Sequence, residues 1–194
     1  MILVAVFLGA QLPILPTQIL WINMTTAVLL GLTLAWEPRE QGIMARPPRN
    51  PRESLLTRAL VYRTLLVSAL LAAGSWWAFR FELSHGASLA TSRTVAVNVF
   101  VVAQIFYLIS CRSLTQPVWR LGWFTNRWLV IGIAVQLLGQ LALTYVPLMN
   151  DLFHTAPLSS AAWARVIAAA IMIWVVVTLD KWLRHHRAGR STST

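Results

Sequence analysis

Negative charge is the scarcest property of this sequence, with six aspartates and glutamates in 194 residues against sixteen lysines and arginines. Charged residues of both signs make up only 11% of the chain, where a soluble domain carries about a quarter. Cysteine occurs once, as Cys111, so an internal disulfide is impossible, and no role is assigned to it. The period-two alternation of a membrane barrel is missing. So are a P-loop, a glycine-rich nucleotide fingerprint and a nucleophile triad, which leaves no catalytic and no cofactor-binding residue to assign. These gaps argue against a soluble domain, a disulfide scaffold and a barrel.

What the chain has is long apolar runs, and 57% of it is hydrophobic. A helix crossing a bilayer needs about 20 apolar residues. Five stretches meet that need, at 18–36, 59–79, 92–110, 128–145 and 161–182. Lipid offers the backbone no hydrogen-bond partners, so each is expected to be a helix. The expected fold class is an all-α membrane protein. Acid is kept out of the central part of every span, and Asp180 stands two residues from an end. Seven tryptophans, Trp21, Trp36, Trp76, Trp77, Trp128, Trp163 and Trp182, fall near span ends, where an indole sits among headgroups. Trp174 lies inside the last span and is expected to pack or to face lipid.

A net charge of +10 would suggest nucleic acid in a soluble chain, but here its placement follows the spans. Thirteen basic residues fall in the 37–63 and 112–127 connections and the C-terminal tail, and three on the other side. That is the positive-inside pattern. It predicts that the 37–58 loop, the basic 183–194 tail and the C-terminus are cytoplasmic, and it argues against a nucleic-acid partner.

The chain opens on an apolar run that is too short to span. Residues 1–8 as a helix rise about 12 Å, well under the roughly 30 Å of a hydrocarbon core. Gly9, Pro13 and Pro16 then interrupt it. No basic region precedes the run and no small-x-small site follows it, so a signal peptide is the weaker reading. The expectation is the second half of a transmembrane helix, hence a fragment or truncated product of a longer protein, with 9–17 as an extracytoplasmic connection. The whole is five full transmembrane helices preceded by a truncated one.

The first span, "ILWINMTTAVLLGLTLAWEP", carries Asn23, Thr25, Thr26 and Thr33 in an otherwise oily helix. At about 100° per residue, Asn23, Thr26 and Thr33 share one face and Thr25 points elsewhere. Interhelical hydrogen bonding, worth about 0.6–2 kcal/mol, is the plain reading of such residues. Gly132, Gln136, Gly139 and Gln140 share a face of a later span, where close helix packing is the expectation. Arg63 is expected to snorkel to the surface. His185 and His186 have no further ligand at a useful spacing and read as part of a solvated basic tail. Pro47, Pro48 and Pro51 favour an extended loop whose arginines can meet anionic lipid.

The first span, followed by "GIMARPPRNPRESLL", and then "RTVAVNVFVVAQIFYLISCRS" and "NRWLVIGIAVQLLGQLALTYVP", resembles the C-terminal membrane region of P-type cation-transporting ATPases. The bacterial calcium-pump-like type is nearest. The resemblance runs in order over almost the whole chain, residues 1–194, from the end of helix five to helix ten. It implies an ATP-driven cation translocase whose sixth helix is partly unwound at mid-membrane. It also implies that Asn23 and Thr26 are cation ligands, and that Gln104, where some calcium pumps have a glutamate, lines the site less surely. The arginine-rich loop becomes a strap to the cytoplasmic phosphorylation domain.

One departure bears on the ion. Calcium pumps carry an aspartate directly after the ligand threonine, and here the position is Ala27. Calcium is generally held by carboxylates, so a monovalent cation or one divalent ion fits as well. The phosphorylated Asp-Lys-Thr-Gly run of the family does not occur here. ATP and Mg2+ are therefore expected only for a full-length pump, together with its cytoplasmic and N-terminal membrane domains. The expected partners are the transported cation, those domains and the lipid bilayer, and the expected location is the bacterial inner membrane. The alternatives are a stand-alone membrane scaffold or accessory subunit descended from such a pump and, more weakly, a passive channel.

Overall fold

The computed structural model describes residues 2–7, 9–37, 57–111 and 126–190, with side-chain surroundings as far as Lys181 in the last helix. Within them all regular structure is helical. The order is α1 (Ile2–Phe7), α2 (Pro16–Ile22), a π-helical segment (Asn23–Leu30), α3 (Gly31–Leu34), α4 (Arg58–Ser84), α5 (Leu89–Cys111), α6 (Arg127–Tyr145), α7 (Pro147–Phe153) and α8 (Ser160–Arg190). Five stretches among the described residues are long and apolar enough to cross a membrane: Pro16–Leu34, Leu60–Ser84, Leu89–Cys111, Arg127–Tyr145 and Ser160–Lys181. These are the five expected spans with ends moved by a few residues. Residues 38–56 and 112–125, the side chains of His185 and His186, and the last four residues lie outside what is described.

Caps set the starts of the long helices. The Thr57, Ser88, Asn126 and Ser159 side chains accept from the backbone N–H three residues on, at Leu60 (3.3 Å), Thr91 (3.1 Å), Leu129 (3.1 Å) and Ala162 (3.2 Å). Each satisfies one of the donors that a helix leaves open at its first turn. Pro16 and Pro147 begin α2 and α7, where a missing N–H costs nothing. Gly86, at φ +81, turns the chain between α4 and α5 in a conformation that a side chain would disfavour.

Helix α5 is the hub. Its span is 61% buried, against 28–33% for the other four. One side, through Val95, Val99 and Ala103, joins a cluster with Val67 and Leu71 of α4 and Ala162, Val166, Ala170 and Ile173 of α8. The other, through Val97, Val101, Ile105 and Leu108, meets Ile22 and Leu30 of the first span and Leu129 and Leu143 of α6. Lipid is as apolar as these side chains, so fit and hydrogen bonds hold the helices together, without a hydrophobic driving force.

One boundary moves, and two side chains find partners. Helix α4 continues past Phe79 to Ser84, which brings Glu82 into the bundle, 5% exposed and 2.6 Å from Arg165. Arg63 reaches the end of α5, where its Nη2 donates to the Cys111 sulfur at 3.8 Å and its guanidinium lies 5.4 Å from the Tyr107 ring centre. Trp174 packs inside the bundle, donating from Nε1 to Ser110 Oγ at 3.0 Å.

Candidate functional site

The first span does not continue as one α-helix. From Asn23 to Leu30 its hydrogen bonding widens to the i→i+5 pattern, an uncommon arrangement that recurs at functional positions. The threonines supply a local cause. Thr25 Oγ1 donates to the Trp21 carbonyl at 2.8 Å, and Thr26 Oγ1 to that of Ile22. Hydroxyls bonded four residues back compete with the backbone N–H groups for those carbonyls and loosen the helix there. At the far end Thr33 Oγ1 donates to the Leu30 carbonyl at 2.7 Å, where the α-helix resumes.

The wider turn redistributes the polar side chains. The buried positions are Ile22, Thr26, Leu30 and Thr33, whereas Asn23, Met24, Val28 and Leu32 are exposed. Thr26 therefore faces inward beside Ile22 and Leu30, which pack with Val101, Ile105 and Leu108 of α5. Asn23 occupies the open face, and its amide forms no hydrogen bond among the described residues. The shared face expected for Asn23, Thr26 and Thr33 thus divides, because a spacing of 100° per residue does not apply through π geometry. Gln104 stands half-buried on the α5 stripe of Val97, Val101 and Leu108, with its Oε1 buried and unpartnered among the described residues. Thr26 and Gln104 look toward the same side of α5, Asn23 stands apart, and no hydrogen bond joins any two of the three.

A polar seam fixes the segment against α6. Gln136 Nε2 donates to Thr25 Oγ1 at 3.2 Å, and Trp21 Nε1 donates to Gln140 Oε1 at 3.4 Å. Asn126, 2% exposed, donates from Nδ2 to the Thr33 carbonyl at 3.0 Å and to Glu37 Oε2 at 2.7 Å. A Cβ on Gly132 would overlap the Thr33 methyl, and one on Gly139 would touch the Trp21 ring at 3.4 Å. The packing face expected of Gly132, Gln136, Gly139 and Gln140 is this one. The roles of Thr25 and Asn126 were missed; the signal for Thr25 was a hydroxyl opposite a glutamine-bearing glycine face. At the other end, Gln18 accepts from the Leu15 N–H at 3.0 Å and donates to the Phe153 carbonyl at 2.9 Å, tying α2 to α7.

The oxygens of the segment and of the α6 glutamines beside it are neutral (hydroxyl, amide and backbone carbonyl), and the Glu37 carboxylate lies beyond the segment's end. Among the described residues no three of His, Cys, Asp and Glu come together. Neutral oxygens in a fixed field can replace the hydration shell of a cation.

An all-helical membrane bundle whose first span is interrupted belongs to the class in which transporters place ion sites, at discontinuous helices. Comparison with known proteins narrows that class. Residues 11–183 match the family described as cation transporting ATPase, C-terminus, and the chain belongs to it. A probable cation-transporting ATPase F of Mycobacterium tuberculosis is 57% identical over 187 residues, which cover 96% of this chain and 21% of that protein. The cation-transporting ATPase pma1 of Synechocystis is 37% identical over 171 residues, covering 84% of this chain and 19% of the relative. A mouse calcium-transporting ATPase type 2C member 2 is 31% identical over 182 residues, covering 93% and 19%. The chain thus spans about a fifth of the length of these relatives.

Proposed function

We propose that this chain is the transport-domain portion of an ATP-driven pump for a small inorganic cation, and that its π segment contributes oxygens to the ion's path through the membrane. The carrying observation is the π segment itself, with Thr26 turned toward α5 and Asn23 left on a face that no described helix covers. ATP and Mg2+ act in the parts of the pump that this chain does not match. Phosphorylation there reshapes the ion site by alternating access. Asn23 and Thr26 are the proposed ligands, Gln104 the weaker third. The seam to α6 holds one side of the segment still while the other changes partners.

The test is Asn23→Ala in a reconstituted full-length pump bearing this region. Alanine removes an amide oxygen without adding bulk, so cation-dependent phosphorylation should need several-fold more cation while the protein stays folded and inserted. Ala27→Asp is the companion: an added carboxylate should shift preference toward divalent ions, at an insertion cost of about 3 kcal/mol. Unchanged cation dependence with a lowered melting temperature would make Asn23 helix glue and end the site assignment.

The same reading puts the end of the bundle bearing Arg63, Cys111 and Lys181 on the cytoplasmic side of a bacterial inner membrane, on the strength of the basic excess there. In a Cys111→Ser background, an impermeant thiol reagent on intact cells should label Ser159→Cys and spare Ser54→Cys. The reverse pattern inverts the topology.

A further inference from the structure

The bundle shows how its internal arginines are normally satisfied. Arg165 meets the Glu82 carboxylate at 2.6 Å, and Arg93 Nε donates to the Leu12 carbonyl at 3.0 Å. Both partners are oxygens, and both arginines lie at the end where α4 turns into α5. Arg63 lies at the opposite end and differs. Its partners are the Cys111 thiol at 3.8 Å and Tyr107, through the face of the ring and the phenol, and among the described residues no carboxylate or carbonyl oxygen is shown accepting from it. A guanidinium has five donors in a rigid fork, and a weak thiol acceptor and one phenol leave most of them unused by these two neighbours.

A second cation converges on the same place from another helix. Lys181 Nζ of α8 donates to the Ser110 carbonyl at 3.5 Å, so Arg63 and Lys181 reach adjacent residues of the last turn of α5. The carbonyl end of a helix attracts cations and accounts for their approach. It does not supply the oxygens that the guanidinium fork is shaped to grip. Tyr107, Phe106 and Trp174, whose ring lies 6.1 Å from that of Phe106, line the neighbouring part of α5 and α8. All of this sits at the ends of three spans, which in a bilayer is the depth of lipid headgroups. A basic pocket between helix ends at that depth is a setting in which acidic lipid headgroups bind.

We infer that Arg63 and Lys181 form a binding site for a phosphate group, the fork of Arg63 taking two oxygens and Lys181 supplying a point charge. The phosphate belongs to an anionic phospholipid headgroup or to inorganic phosphate. This site is separate from the π segment and does not depend on its role in transport.

The experiment uses the chain in detergent, with melting temperature and native mass spectrometry as readouts. Phosphatidylglycerol, phosphatidylcholine and inorganic phosphate are added separately. Phosphatidylglycerol should bind and raise the melting temperature more than phosphatidylcholine does, and Arg63→Gln should weaken its binding about tenfold, the worth of a charge-assisted hydrogen-bonded pair. Arg58→Gln removes an equal charge from an exposed position at the start of the same helix and should leave binding nearly intact. Arg63→Lys keeps the charge but not the fork and should fall between; it also serves if Arg63→Gln does not fold. Stabilisation by inorganic phosphate that depends on Arg63 assigns the free anion as a source, and its absence assigns the lipid. Equal losses in Arg58→Gln and Arg63→Gln, or no preference between the two lipids, would overturn the site and leave only diffuse surface charge.

Discussion

The two sides of α5 are built on different rules. Toward α4 and α8 the contact is apolar through the middle of the spans, with valine, alanine, leucine and isoleucine interlocking along two long, regular α-helices, and the hydrogen bonds of Ser110 and Cys111 fall at the last turn of α5. Toward the first span and α6, apolar contacts alternate with amides and hydroxyls, and the partner helix is itself interrupted. An apolar block has few ways to rearrange short of opening a cavity. A polar seam can exchange one hydrogen bond for another at about 1 kcal/mol each. An apolar frame and a polar, rearrangeable seam therefore share one helix, and the difference is what the proposed function requires.

The largest expected break in that contrast is steric. A valine at position 132 would have to displace Thr33, whose branched side chain is stiff and whose hydroxyl and carbonyl are both engaged, by Leu30 and Asn126. Gly132→Val should destabilise the chain by about 1–3 kcal/mol, the usual range for overpacking, and separate α6 from the π segment. Gly74→Ala is the matched change in the apolar block. Its Cβ would come within 2.7 Å of Ile173 Cδ1, the far end of a flexible side chain that can turn away. It should cost less than half as much. Thermal unfolding in one detergent ranks the two. A larger loss for Gly74→Ala would mean that the apolar block is the less forgiving side, and would reverse the comparison.

How much of this was legible in the sequence follows the same division. The five spans were, because length and apolarity alone define them. The packing face of α6 was, because Gly132, Gln136, Gly139 and Gln140 recur at helical spacing and α6 is a regular helix. The first span was legible as a span but not in its register. Whether Thr25 and Thr26 bond back to their own helix or outward is not written in their periodicity, and that choice sets the geometry of eight residues. Asn23 consequently parted from Thr26, and Thr25, expected on a different face, accepts from Gln136. Helix α7 was missed because seven residues are too few to show a period, although Pro147 marks its start. The partners of Arg63 were not legible, because snorkelling is a rule about one helix and the surface, and Cys111 and Tyr107 belong to a neighbouring helix end.

The smallest expected effect is the one that separates fold from function most sharply. Thr25→Val preserves the shape of the side chain while removing the hydroxyl that donates to Trp21 and accepts from Gln136. The loss should be about 0.6–2 kcal/mol, since membrane hydrogen bonds are worth little more. Gln136→Leu removes the other half of the pair, and in the double variant the two losses should add to less than their sum, by roughly 0.5 kcal/mol or more. Stability alone would not reveal what the pair does. With the Trp21 carbonyl released, the backbone can recapture it and the segment should tighten toward α-helix. Amide hydrogen exchange across residues 22–30 should then slow in Thr25→Val even as the melting temperature falls. A variant that loses stability and exchanges faster throughout the segment would show that Thr25 only glues two helices. A variant whose segment is better protected in a weaker bundle would show that the hydroxyl holds the wide turn open, with the Gln136 side chain as its external brace.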